Sequence, residues 1–401
     1  MPAEFFTNQN INELYAKIAK RNISNQSNQI KVTLGDLIQR ILFHLISFRI
    51  KPLTEQKIDL SKITNILLIR NDGLGDYIQS TPFISTLKKF NPEINIDVLA
   101  SKRNYQLIQE DNNIRNVYVI EDKPNFFQIY KISRQIKKHN DYDVIFALKH
   151  TKTTLNALIS ILISRKAIKV NFLHSNYFRN NTYKLVFSNM IKFTNDTFHW
   201  SSYMKNMLQG IIPDNIINSF VPTYVLSDDF TFKNQKKNEL VYLFQIEKLN
   251  ILVNISANES NRQLDIIKLS SLINHFIDNY RMRIIVTASP KDYSKLDYLM
   301  KIINKNSNIE ILKTSLIDLI HKLNQFDIVI SPDTGIIHFA DALGIPIIGV
   351  YENYDKISKW HPLKSQFVAI IPEDSNFSLI NEKEITQALE ALGYNLNKLK
   401  K

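Results

Sequence analysis

The chain has 401 residues, 44% hydrophobic and 22% charged, with a formal charge of +12 and a sequence pI of about 9.4. Zero cysteines exclude disulfides, thiolate zinc sites and cysteine nucleophiles. The length predicts two core-bearing domains, and the positive balance suits nucleic acid, an anionic membrane surface or a strongly acidic substrate.

Residues 1–60 read as an N-terminal extension, polar and partly helical. The start, Met1-Pro2-Ala3-Glu4-Phe5, lacks the basic stretch and apolar core of a signal peptide. No run reaches the roughly 18 apolar residues of a membrane span. Asn22–Asn28 is rich in Ser, Asn and Gln and reads as a linker. Thr33–Ile50 is apolar at 34, 37, 38, 41, 42, 45 and 46, a helical period with Arg40, Arg49 and Lys51 on or near its flanks. The pattern predicts a helix packed on the body; a helix lying on a membrane surface is the alternative.

The first domain is expected over 61–225. Asn65–Arg70 is an apolar run too short for a helix and suited to a buried parallel strand. A turn, Asn71-Asp72-Gly73-Leu74-Gly75-Asp76, leads into a helix over Tyr77–Phe90. Pro82 either kinks that helix or starts a second piece after Thr81. Strands over 94–100, 117–120 and 144–148 alternate with helices over 127–139 and 153–164. That alternation predicts a doubly wound parallel sheet. Asn171–Trp200 is aromatic and basic, a helix follows over 197–208, and 221–238 reads as a connector.

The second domain is expected over 226–401 and repeats the design. A strand at 250–256 is followed by a turn at 257–262 and a helix ending near Tyr280. Strands at 283–287 and 309–312 follow, then a helix at 315–323. Phe326–Ile330 is a strand, Ser331-Pro332-Asp333-Thr334-Gly335 a turn, and Ile336–Leu343 a helix stopped by Gly344. A strand at 346–350 and a closing helix at 382–392 complete it. The helix start offers unpaired N–H groups and partial positive charge. Gly335 lets an anion approach the backbone, and helical spacing puts Thr334 and His338 on one face. A phosphate-bearing ligand is therefore expected here. In open α/β sheets ligands sit beyond the carboxyl ends of strands, where 71–76, 256–262 and 331–335 all lie. Two such domains facing each other would form a cleft.

The chemistry-bearing residues are few. Gly73 and Gly75 suggest a dinucleotide fingerprint, but Ile78 stands where the third Gly belongs, so no NAD site is expected. Asp76, at a helix mouth, is either a cap or a general base. Arg262 is placed to hold a diphosphate. Asp141-Tyr142-Asp143 precedes a strand instead of following one and reads as turn residues. The histidines show no ligand spacing, so no metal is expected.

Ile66–Pro82 resembles the opening strand and Gly-Asp turn of the heptosyltransferase family, glycosyltransferase family 9. Ser331–Pro346 resembles that family's D-T-G-x-x-H-x-A-x-A-L-x-x-P signature. The likeness runs over about 62–390. It implies a GT-B fold of two facing Rossmann-like domains and an inverting reaction independent of metal or any other cofactor. ADP-heptose is the implied donor. Asp76 matches the catalytic base, with Gly73 and Gly75 in the acceptor-side loop. Asp333, Thr334, Gly335 and His338 match the donor-binding turn, and Ser256 and Arg262 the small residue and cation of the second domain. An acidic lipid-linked or oligosaccharide acceptor, such as lipopolysaccharide core, would account for the charge. Peripheral contact with an anionic membrane at the inner face of the inner membrane would fit, in a cytoplasmic protein; nucleic acid is not expected. Two alternatives stand beside this one. One is a nucleotide-sugar epimerase on the same fold, with Glu259 as the extra carboxylate. The other is a basic membrane- or nucleic-acid-binding protein without catalysis.

Overall fold

The computed structural model describes residues 3–24, 33–49, 51–149, 153–173, 177–191, 199–217, 220–222, 247–257, 259, 262–303, 308–375 and 379–401. Most of the expected linker 22–28, the connector 227–238, and Asn258, Ser260 and His174 lie outside them. The chain divides into a first unit, Asn25–Phe220, and a second unit, Met1–Ser24 with Val221–Lys401. The stretch 1–60, expected as one extension, is thus shared between the two.

The first unit holds a parallel six-stranded sheet. Its strands are β2 (Asn65–Arg70), β3 (Asn95–Ser101), β4 (Asn116–Ile120), β5 (Val144–Ala147), β6 (Ile168–Phe172) and β7 (Asn189–Ile191), in the order β4-β3-β2-β5-β6-β7. Both faces are covered, so β2 and β5 are buried along almost their whole length. That is why they read as unbroken Ile, Leu, Val and Phe runs. The order reverses between β2 and β5, so the turn after β2 lies at the topological switch point. Helix α2 (Leu34–Ser47) is fixed at its start by a reciprocal cap between Thr33 and Asp36.

The helix after β2, α3 (Leu74–Phe90), starts three residues earlier than the sequence suggests. Gly75 and Asp76 therefore lie in its first turn. Pro82 sits inside this single helix. Pro has no N–H to give the carbonyl of Ile78, but Thr81 Oγ1 donates to that oxygen at 2.7 Å, replacing the lost bond. Asp143 confirms the turn reading of its tripeptide: its Oδ2 accepts from the N–H groups of Thr64 and Asn65 at 2.9 and 3.0 Å.

The second unit holds seven strands. They are β1 (Glu4–Thr7), β8 (Leu249–Asn254), β9 (Met282–Thr287), β10 (Ile309–Leu312), β11 (Ile328–Pro332), β12 (Ile347–Val350) and β13 (Phe367–Ile371), ordered β1-β13-β12-β11-β8-β9-β10. The switch point falls between β8 and β11, and the turns after both strands carry predicted ligand residues. β1 pairs antiparallel with β13, Glu4 opposite Ile371. It covers an edge whose N–H and C=O groups would otherwise be open to another chain. Helix α1 (Ile11–Ser24) follows, burying Leu14 and Ile18, and Tyr15 Oη lies 2.6 Å from His361 Nε2. No apolar signal in the first 24 residues announces this, because a four-residue edge strand and one helical stripe look like any polar leader. No helix among the described residues is long and apolar enough to cross a membrane.

Candidate functional site

The first turn is built around Arg70, the last residue of β2, which is buried. Its Nε donates to the backbone oxygen of Asp76 at 2.9 Å and its Nη1 to that of Leu148 at 3.0 Å. The same guanidinium lies 3.3 Å from Asp72 Oδ2 and 3.7 Å from Asp76 Oδ1. Asn104 and Ser101 tie down the other side: Asn104 Nδ2 donates to the oxygen of Arg70 at 2.8 Å, and Ser101 Oγ to that of Asp72 at 2.7 Å. Lys149 Nζ donates to the oxygen of Asn71 at 3.0 Å.

Asp76 is held at the third position of α3. Its Oδ2 accepts from Gly73 N–H at 2.9 Å. A Cβ on Gly73 would stand 2.8 Å from that oxygen, so the close approach requires glycine. The carboxylate remains partly open, 23% exposed, whereas that of Asp72 is buried. Burial pushes the Asp72 carboxyl up to about 7; Arg70 and Lys149 oppose this and Asp76 adds to it. Asp72 Oδ1 and Asn71 Oδ1 are buried without a hydrogen-bond partner.

In the second unit, helix α4 (Gly335–Leu343) begins with Thr334 as N-cap, yet no side chain caps it and no acid lies in its first turn. The Thr334 hydroxyl turns inward instead, 3.1 Å from Ser331 Oγ and 3.3 Å from Asn254 Nδ2. Asn254, the last residue of β8, also donates to Ser331 Oγ at 3.0 Å and to the oxygen of Ser256 at 3.1 Å. This amide locks the two switch-point strands together. The first N–H groups of α4 are left for another acceptor.

Arg262 is brought to this turn and buried. Its Nη1 lies 3.5 Å from Asp333 Oδ2, and its Nε, which makes no hydrogen bond, lies 3.4 Å from Glu259 Oε2. Burial pushes the Asp333 carboxyl up to about 6, against the pull of Arg262 and Lys356 and with a push from Glu352. His338 is buried, its ring 5.6 Å from that of Trp360 on helix α5 (Tyr354–Trp360). Ser256 points elsewhere: its Oγ donates to Asp292 Oδ2 at 2.7 Å and accepts from Ser289 N–H at 2.8 Å. Its hydroxyl is thus committed to the turn after β9.

The second-unit turn therefore gathers Arg262, Asp333, Thr334, Gly335 and His338, while Gly73, Gly75 and Asp76 gather in the first unit. Sequence reasoning passed over Arg70, Asp72, Asn254, Asp292 and Lys356. The missed signal for two of them is the same: Arg70 and Asn254 are polar residues that directly follow the Ile, Leu and Val runs 66–69 and 251–253 at the ends of β2 and β8. Among the described residues no group of three or more His, Asp or Glu forms a metal-ligating cluster.

The description Glycosyltransferase family 9 (heptosyltransferase) matches residues 219–387. A Haemophilus influenzae protein is 23% identical over 328 residues, covering 79% of this chain and 91% of its own. Lipopolysaccharide heptosyltransferase 1 of Campylobacter coli is 25% identical over 299 residues, 71% of this chain and 83% of its own. Among solved structures, Escherichia coli heptosyltransferase WaaC with ADP superposes with a TM-score of 0.64 at 15% identity, over 82% of this chain and all of that one. This last likeness shows the fold, GT-B, with its two parallel-sheet domains. Together with the two strand-end turns, these matches support a glycosyltransferase of a heptosyltransferase-like family.

Proposed function

We propose that the protein transfers a heptose from ADP-heptose to an acidic acceptor of the lipopolysaccharide core type, with inversion and without a metal. The observation that carries this reading is the open N-terminus of α4 beside the buried Arg262. A leaving diphosphate gains negative charge as the glycosidic bond breaks. The free N–H groups at 334–335 and the spare Nε–H of Arg262 are donors suited to that charge. The proposed inventory is complete without a metal: Asp76 takes the acceptor hydroxyl's proton as its oxygen attacks the anomeric carbon, and the nucleoside diphosphate departs. Thr334 and Asn254 hold the turn, and Asp333 orients Arg262. The choice of ADP-heptose is supported by the Campylobacter coli relative and by the ADP-bound Escherichia coli enzyme.

The test is a thermal-shift panel of nucleotides and nucleotide sugars followed by transfer assays. ADP and ADP-heptose should stabilise the protein, by about 2.7 kcal/mol at 100 times the dissociation constant. Transfer should persist in excess EDTA and give the inverted anomer. Stabilisation by uridine nucleotides alone would shift the donor, and loss of transfer in EDTA would defeat the metal-free step. The epimerase alternative finds little support at Glu259, whose side chain is 61% exposed and beside Arg262.

A further inference from the structure

Helix α2 is turned inside out. Leu34, Leu37, Ile38, Ile41, Leu42 and Leu45, spaced three and four apart, are exposed at 73, 46, 59, 60, 40 and 66%, and Phe48 just beyond at 77%. The polar residues face the protein instead. Asp36 is buried and accepts from Arg179 Nε at 2.7 Å. Gln39 Nε2 donates to Tyr183 Oη at 3.0 Å, and His44 Nδ1 lies 2.5 Å from the oxygen of Arg49. The helix is packed on the body, as its period predicts, but not by its apolar stripe. It packs mainly by its polar side, with Phe43 as its buried apolar anchor.

We infer that this outward stripe docks α2 flat on an anionic lipid surface. A 14-residue helix is about 21 Å long and about 10 Å wide. Its single face supplies on the order of 200 Å², well short of the roughly 800 Å² per partner of a stable protein interface. A bilayer needs no matching partner area, only an apolar face at the depth of the acyl boundary and cations beside it. The cations are there. The Arg165 guanidinium stands 4.7 Å from the centre of the Phe48 ring, and Lys166 and Lys51 are also exposed. The described residues 153–173 and 177–191, which include the partners of the helix, contain five Lys and Arg and no Asp or Glu. Of the five, Lys169 is buried and Arg179 is paired with Asp36. Two copies of so basic a surface repel each other, whereas acidic headgroups attract it.

The experiment is flotation of the full chain with phosphatidylglycerol-rich vesicles and with neutral phosphatidylcholine vesicles. Wild type should float with the anionic vesicles and be released by salt. Ile38→Asp/Ile41→Asp, both at exposed positions, should weaken binding at least tenfold with an unchanged melting temperature. Arg165→Glu/Lys166→Glu should weaken anionic binding by a similar factor, each cation contributing roughly fivefold. Failure of wild type to float, equal flotation by the apolar variant, or a solution dimer that the apolar variant dissolves would each overturn the inference. The outcome is independent of which sugar or nucleotide the enzyme uses.

Discussion

The two strand-to-helix turns share a design but differ in what stands at the helix mouth. In the first unit an acid, Asp76, folds back onto Gly73 N–H and stays partly open to solvent. In the second the first turn of α4 has no acid and no side-chain cap, and the cap hydroxyl is drawn away by Asn254 and Ser331. The same backbone geometry yields a placed carboxylate in one case and an anion-accepting end in the other. What decides between them is four residues of register: Asp76 stands three after its cap residue Gly73, Asp333 one before its cap residue Thr334. An acid inside the helix start fills its own mouth; an acid just before it, Asp333, leaves the mouth free and pairs with Arg262.

Breaking the first turn should have the largest effect. Asp76→Asn removes the proposed proton acceptor at nearly constant shape, and initial-rate assays should show kcat down by about 10²–10⁴. Breaking the second comes next: Arg262→Met should lower kcat/KM by about 10²–10³. Gly73→Ala sharpens the first half of the comparison. The new Cβ, 2.8 Å from Asp76 Oδ2, must push the carboxylate aside. A misplacement of about 1 Å costs about 100-fold in kcat, and a loss of that order is expected with donor binding intact. Gly349→Ala probes the floor under α4. Its Cβ would stand 2.6 Å from the fully buried Tyr351 ring and 3.3 Å from Ile337 Cδ1. Denaturant unfolding should show a loss of about 1–3 kcal/mol.

The smallest effect is on pH dependence. Burial holds Asp333 near 6 and Asp72 near 7, both above the ordinary 3.8. Between those values the folded chain binds more protons than the unfolded one. Their contribution to stability is therefore fullest at low pH and is lost as pH rises towards 6 and 7. His361 works the other way: burial lowers it to about 4 from 6.5, so its contribution is lost as pH falls through that window. Asp333→Asn should raise the melting temperature at pH 8 relative to wild type, by about 2–4 °C for each kcal/mol relieved. It should do little at pH 4.

Much of the fold was legible because buried parallel strands leave unbroken apolar runs, as at Ile66–Ile69 and Ile328–Ile330. The site turns were legible because glycine and acid recur where those runs end. Less visible was anything that depends on partners distant in sequence. Nothing local in Glu4–Thr7 says that it will pair with Phe367–Ile371. Nothing local to Ser256 says that its hydroxyl will donate to Asp292. The period of Thr33–Ile50 fixes a helix but not which side faces in. That choice was made by Arg179, Thr154 and Tyr183, which receive the polar side.

The division of labour between the turns is tested most directly by titrating ADP calorimetrically into wild type, Asp76→Asn and Arg262→Met. The account predicts that Asp76→Asn binds ADP as wild type does, while Arg262→Met binds at least tenfold more weakly. Equal loss in both variants, or undiminished binding by Arg262→Met, would contradict it.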